Sequence, residues 1–132
     1  MSVEVAWLDD EHTIVCQQYE GKLQASELIE ATTKVEQMYQ SVGRQIFMIG
    51  DFSRLKGVPD SILPALPTME KLHFIQDCPC VLITTSVYIT AIIKIVRAIS
   101  PSLTQNVYTV ETMEQALALV AELKAKNGDA QP

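Results

Sequence analysis

The residues best suited to chemistry cluster in the middle of the chain: Asp51, Ser53 and Arg54, followed by Asp60 and Ser61. Asp51 follows an apolar run that reads as a strand, and strand-end loops are where open α/β sheets place their sites. Asp60 and Ser61 open the segment expected to be the next helix, whose free backbone N–H groups favour a bound anion or phosphate. The five residues are therefore read as a ligand, anion or regulatory loop, against the plainer alternative that Asp60 caps its helix and Asp51 orders its own turn. Cys78-Pro79-Cys80 supplies half of the ligands that zinc needs, and neither His12 nor His73 has the spacing to complete them. A structural role is expected, with Cys80 packed in a strand and Cys78 left on a loop; no metal and no cofactor are expected. The sequence has no G-x-S-x-G elbow, P-loop or G-x-G-x-x-G, so it is not read as an enzyme. An enzyme site around Asp51 and Ser53 is kept as an alternative.

The elements that would position these residues follow from periodicity. Val3, Val5 and Trp7 alternate on one strand, Ile14 and Cys16 on the next, and Asp9-Asp10-Glu11 lies between as a turn. Leu28, Ala31, Val35, Met38 and Val42 step by three or four, a helix expected to take Ser26 as its N-cap and Gly43 as its stop. Ile46 to Ile49 is a continuous apolar run, a strand buried on both faces, with Asp51 to Gly57 as the loop after it. Ser61 to Phe74 is expected as irregular helix, with Pro67 at the first position of its second part. Cys80 to Thr84 is a second buried strand, Val87 to Ile99 a helix, and Val107 to Thr109 a short last strand. Thr112 and Gln115 form a capping box for a final helix that buries Met113, Ala116, Leu117, Val120 and Leu123. The order is ββαβαβαβα: one α/β domain over residues 1–125 with a mostly parallel interior sheet, and a disordered tail over 126–132.

Composition narrows the function classes. The 132 residues carry ten Lys and Arg against sixteen Asp and Glu, a net charge of -6. An acidic chain without a basic patch is a poor match for the phosphates of nucleic acid. Three cysteines fit a reducing, cytoplasmic setting better than a disulfide framework. The N-terminus lacks the basic and apolar regions of a targeting segment. Val81 to Ile99 is long enough for a membrane span, but Lys94 and Arg97 would each cost roughly 2.5–3.5 kcal/mol in it. No membrane insertion is expected.

The order of elements from Val3 to about Lys124 resembles the STAS domain, the fold of bacterial anti-sigma-factor antagonists and of the cytoplasmic domains of sulfate transporters. The strand ending in Gly50-Asp51-Phe52-Ser53, followed by Asp60-Ser61-Ile62-Leu63, is similar to the family's strand, loop and Asp-Ser-Ser-Gly motif, with about one extra residue in the loop. Ile62 stands where the family's phosphoacceptor serine would be, and Leu63 replaces its glycine. The chain is therefore more similar to the divergent SpoIIAA-like branch, for which the lipid-binding CRAL-TRIO lobe serves as an analogy. The resemblance implies a non-enzymatic regulatory or protein-interaction module without the usual phosphoacceptor. A response-regulator receiver is the rival fold; Asp9, Asp10, Asp51 and Thr84 imitate its acidic set. It fails where His12 to Tyr19 alternates as a strand and where no Lys follows the last strand.

The helix Val87 to Ile99 carries more apolar residues than a single stripe. Ile89, Ile92, Ile93 and Val96, with Arg97 beside them, are read as an interaction surface, first of all for a homodimer or another protein partner. A carrier role, with a small apolar or lipid-like ligand held beneath this helix, is the alternative. A closed apolar cavity lined by the helix separates the two.

Overall fold

The opening alternation folds as a hairpin, because Asp9 organises its turn: Asp9 Oδ1 accepts the backbone N–H groups of Thr13 (2.9 Å) and Ile14 (3.0 Å). His12 closes the turn in the left-handed region (φ 57°) and stacks on Trp7. The computed structural model describes residues 2–58 and 61–130. Its strands are β1 (Ser2–Trp7), β2 (Ile14–Lys22), β3 (Phe47–Gly57), β4 (Cys80–Ile83) and β5 (Val107–Val110). Its helices are α1 (Ala25–Val42), α2 (Leu66–Met69), α3 (His73–Asp77), α4 (Val87–Ile99) and α5 (Met113–Ala130), with 3-10 turns at Leu63–Ala65 and Pro101–Leu103.

The five strands lie in the order β1-β2-β3-β4-β5, with β1 antiparallel to β2 and every later pair parallel. The two continuous apolar runs thus occupy interior strands, as burial on both faces requires. Each parallel crossover joins neighbouring strands, so connections of one hand place α1, α2, α3 and α4 on the same face of the sheet. On that face Val15, Met48 and Cys80 pack against Val35, Leu66 and Phe74. The other face, with Cys16, Phe47, Ile49, Val81 and Ile83, is covered by Ala116 and Val120 of α5.

Several local expectations are corrected. The segment from Asp51 to Gly57 is strand rather than loop: Glu20 pairs with Arg54, Gly21 with Leu55 and Lys22 with Gly57, past the point where β4 stops opposite Asp51. Its polar residues Ser53, Arg54 and Lys56 point to water while Phe52 and Leu55 pack inward. Gln24, not Ser26, caps α1, and its backbone N–H donates to Glu27 Oε1 at 3.3 Å. Gly43 ends that helix in the left-handed conformation (φ 66°). Pro67 is the second residue of α2, since Leu66 is the first. Leu117 is exposed, and Leu119 packs on the sheet beside Val120. Cys78 is fully buried at the end of α3 instead of lying on an open loop. Helix α5 takes in Lys126 to Ala130 of the expected tail. Asp60 of the expected site lies outside the described residues.

Candidate functional site

Of the polar residues singled out by spacing, Asp51, Ser53 and Arg54 lie together and Ser61 lies apart from them. Asp51 and Arg54 share a cleft of about 110 Å³ with Glu4, Gln18 and Glu20 on β1 and β2. There Asp51 Oδ1 accepts the Ser53 N–H at 2.9 Å, a local turn-like bond, and Ser53 faces solvent. Ser61 lies elsewhere, in a groove with Ile62, Tyr88 and Ile95. It opens no true helix: the segment after it is a three-residue 3-10 turn, and Ser61 Oγ already accepts the Leu63 N–H at 3.2 Å. Free N–H groups in helical register, the basis for an anion site, are therefore missing from the described part of this loop.

The histidines have other partners. His12 stacks on Trp7, and His73 Nδ1 lies 2.9 Å from Glu36 Oε2. Burial pushes the Glu36 carboxyl upward, but the Phe74 N–H, Gln40 and His73 outweigh it and hold the group below its ordinary range. All three cysteines are free and buried. Burial pushes Cys16 and Cys78 up to about 11 and Cys80 up to about 12, which leaves them as inert thiols at neutral pH. No group of three or more His, Cys, Asp or Glu able to hold a metal occurs among the described residues. No helix among them is long and apolar enough to cross a membrane.

The site that the fold does build is an apolar cavity of about 140 Å³ between the sheet and α4. Its floor is the helical face of the sheet, where Gln17 and Tyr19 of β2, Met48 and Phe52 of β3, and Cys80 and Leu82 of β4 point upward. Leu28 and Thr32 of α1 form one wall, and Leu66, Met69 and Phe74 another. The roof is α4, which lays Ile89, Ile92, Ile93 and Val96 over the space. Gly50 adds to the geometry: a Cβ there would come within 2.9 Å of Leu82 Cδ2, so a larger residue would require the Leu82 side chain to turn aside.

Helix α4 is held mainly near its ends. Ser86 Oγ accepts the Ile89 N–H at 3.2 Å as an N-cap, and Thr84 Oγ1 accepts the Ser86 N–H at 3.0 Å. Tyr88 O–H donates to the Val58 carbonyl at 3.2 Å, and Ser100 Oγ, at the other end, donates to Glu70. Between these fixings Ile89 is the one residue of α4 that is buried, while Ile92, Ile93 and Val96 are half-buried. The apolar excess of this helix thus splits in two. One side lines the cavity, and the other leaves Val87 (86%), Tyr88 (55%), Ile95 (51%) and Ile99 (57%) exposed.

One polar residue of the cavity escaped the reading of spacing. Gln17 is 2% exposed, and its Nε2 is a buried donor without a hydrogen-bond partner among the described residues. The available signal was its place in the alternation Val15, Gln17, Tyr19, an amide on the face where its neighbours are apolar.

This architecture, a sheet opened by an antiparallel hairpin with four helices on one face and one on the other, is the SpoIIAA-like (STAS) fold. The chain is similar to the anti-sigma factor antagonist SpoIIAA in its unphosphorylated form, at 15% identity and a TM-score of 0.62, covering 91% of this chain and 98% of that one. It is similar to the Bacillus cell fate determinant SpoIIAA in the phosphorylated form at 18% identity and a TM-score of 0.57, covering 90% and 99%. An uncharacterised protein with a SpoIIAA-like fold from Shewanella loihica gives 13% identity and a TM-score of 0.57, covering 89% and 91%. No protein-family model and no curated protein sequence matches the chain.

Proposed function

We propose that the chain is a non-enzymatic, cytoplasmic regulatory module that binds a small apolar ligand between its sheet and α4. The observation that carries this reading is the cavity of about 140 Å³ roofed by Ile89, Ile92, Ile93 and Val96. The space opens partly to solvent, so an apolar occupant gains by taking its lining side chains out of water, at roughly 25 cal/mol per Å² buried. A ligand that fills it gains dispersion and burial, and the volume is enough for a benzene-sized molecule. The SpoIIAA-like fold supports a regulatory role, and the three free, buried thiols fit a reducing compartment. Native mass spectrometry of protein purified from its own host tests the reading. A small bound mass supports it; bare polypeptide that also takes up no apolar probe overturns it.

A second reading concerns the outer side of α4. Val87, Tyr88, Ile95 and Ile99 are exposed apolar residues of α4, with Lys94 and Arg97 also exposed on the helix, and a second copy of the chain is the occupant proposed for them. The same mass spectrum reports stoichiometry, and a strictly monomeric species at high concentration contradicts this part.

A further inference from the structure

Among the described residues, the cavity's polar side-chain atoms are satisfied internally with one exception. Thr32 Oγ1 donates to the Leu28 carbonyl at 2.8 Å, and Thr104 Oγ1 to the Pro101 carbonyl at 3.2 Å. Tyr19 O–H donates to Gln17 Oε1 at 2.8 Å. Gln17 Nε2, enclosed by the protein, meets no acceptor among the described residues. Turning the amide over does not help. Nε2 would then face the phenol oxygen, and the phenol hydrogen would lose Oε1 as its acceptor.

Buried donors are almost always paired, so an unmet amide on the floor of a cavity calls for a reason. A leucine or methionine would fill the same position without the penalty of a stranded N–H. We infer that Gln17 Nε2 is the specificity contact of the cavity, and that its ligand is a small apolar molecule bearing a single neutral acceptor such as a ketone, ester or amide carbonyl. This rests on the ligand-binding reading above and adds the chemical class. The acceptor must be neutral because no Lys, Arg or His among the described residues lines the cavity, and one amide N–H cannot offset a buried anion. The phenol bond to Oε1 polarises the amide and makes Nε2 a stronger donor.

The test uses the full chain, ¹⁵N-labelled, titrated by NMR with cyclohexanone and with methylenecyclohexane, which has the same shape but no acceptor. Both are expected to shift the backbone amides of Ile89 and Ile93, and only the ketone to move the Gln17 side-chain resonances. Ketone affinity relative to alkene affinity is expected to fall about tenfold in Gln17→Met, made in a Tyr19→Phe background so that no phenol is stranded. If both ligands bind, Gln17 stays silent and the ratio does not change, the cavity reading stands and the acceptor inference is overturned. If neither binds, the cavity reading fails and the inference fails with it. Should the Gln17→Met protein not fold, the wild-type Gln17 resonances decide alone, and silence at saturating ketone overturns the inference.

Discussion

Filling the cavity from the protein side should stabilise the chain and abolish ligand uptake together, a pairing that few core substitutions produce. Val96 lines the space from the roof and is half-buried. In Val96→Phe the added ring volume would occupy on the order of a third of the 140 Å³, and the extra apolar burial is worth about 1 kcal/mol. Urea unfolding of the ligand-free proteins measures this as a rise in midpoint at constant slope. Titration with methylenecyclohexane should show affinity reduced at least about tenfold, a change of about 1.4 kcal/mol. Overpacking of a tight core costs about 1–3 kcal/mol instead. A destabilised Val96→Phe protein with unchanged ligand affinity would mean that the space beneath α4 is not there to be filled.

Other consequences are checked with standard assays. Ile93→Glu, which strands a carboxylate in the cavity roof, should destabilise by several kcal/mol, whereas Ile95→Glu on the exposed side should yield a folded protein that no longer self-associates in light scattering. The three thiols should resist a disulfide reagent in the native state and react on denaturation. Their folded-state pKa values are raised above 9.0, so the stability they contribute is present below pH 9 and falls as pH rises towards about 11 to 12, as alkaline unfolding curves would record. Glu36 acts in the opposite sense: its pKa is lowered from 4.5, so its contribution is present above that value and lost as pH falls through the folded pKa. Glu36→Ala should remove about 1.5–3 kcal/mol and flatten the acid side of the stability profile. Phosphopeptide mapping should place any stoichiometric phosphate on Ser61 or Ser53, both exposed, since Ile62 has no hydroxyl.

The architecture was legible wherever one residue type dictated a boundary. Ser86 before and Pro101 after α4 delimit a helix read from spacing at Val87 to Ile99, and the unbroken apolar runs announced two interior strands. The second half of β3 was not legible. Ser53, Arg54 and Lys56 look like loop residues, yet they only mark the wet side of a strand whose dry side is Phe52 and Leu55. That misreading also placed Asp51 at a strand end and assembled a polar site the fold divides between two surfaces. The apolar excess of α4 was visible, but its division into cavity roof and exposed residues depends on how far the helix stands from the sheet. Such a distance follows from the fit of many side chains and leaves no mark in spacing. Gln17 was hidden for a different reason: in a hairpin strand an amide reads as surface until a second layer is known to cover it.

Exposure of a crystal of the protein to pressurised xenon tests the cavity most directly, because xenon enters dry apolar space and reports its position without needing a recognised functional group. The account predicts one ordered xenon site between Gln17, Leu28, Met48, Ile89 and Ile93, lost in Val96→Phe. A crystal with no xenon beneath α4, its side chains closed over the floor of the sheet, would contradict it.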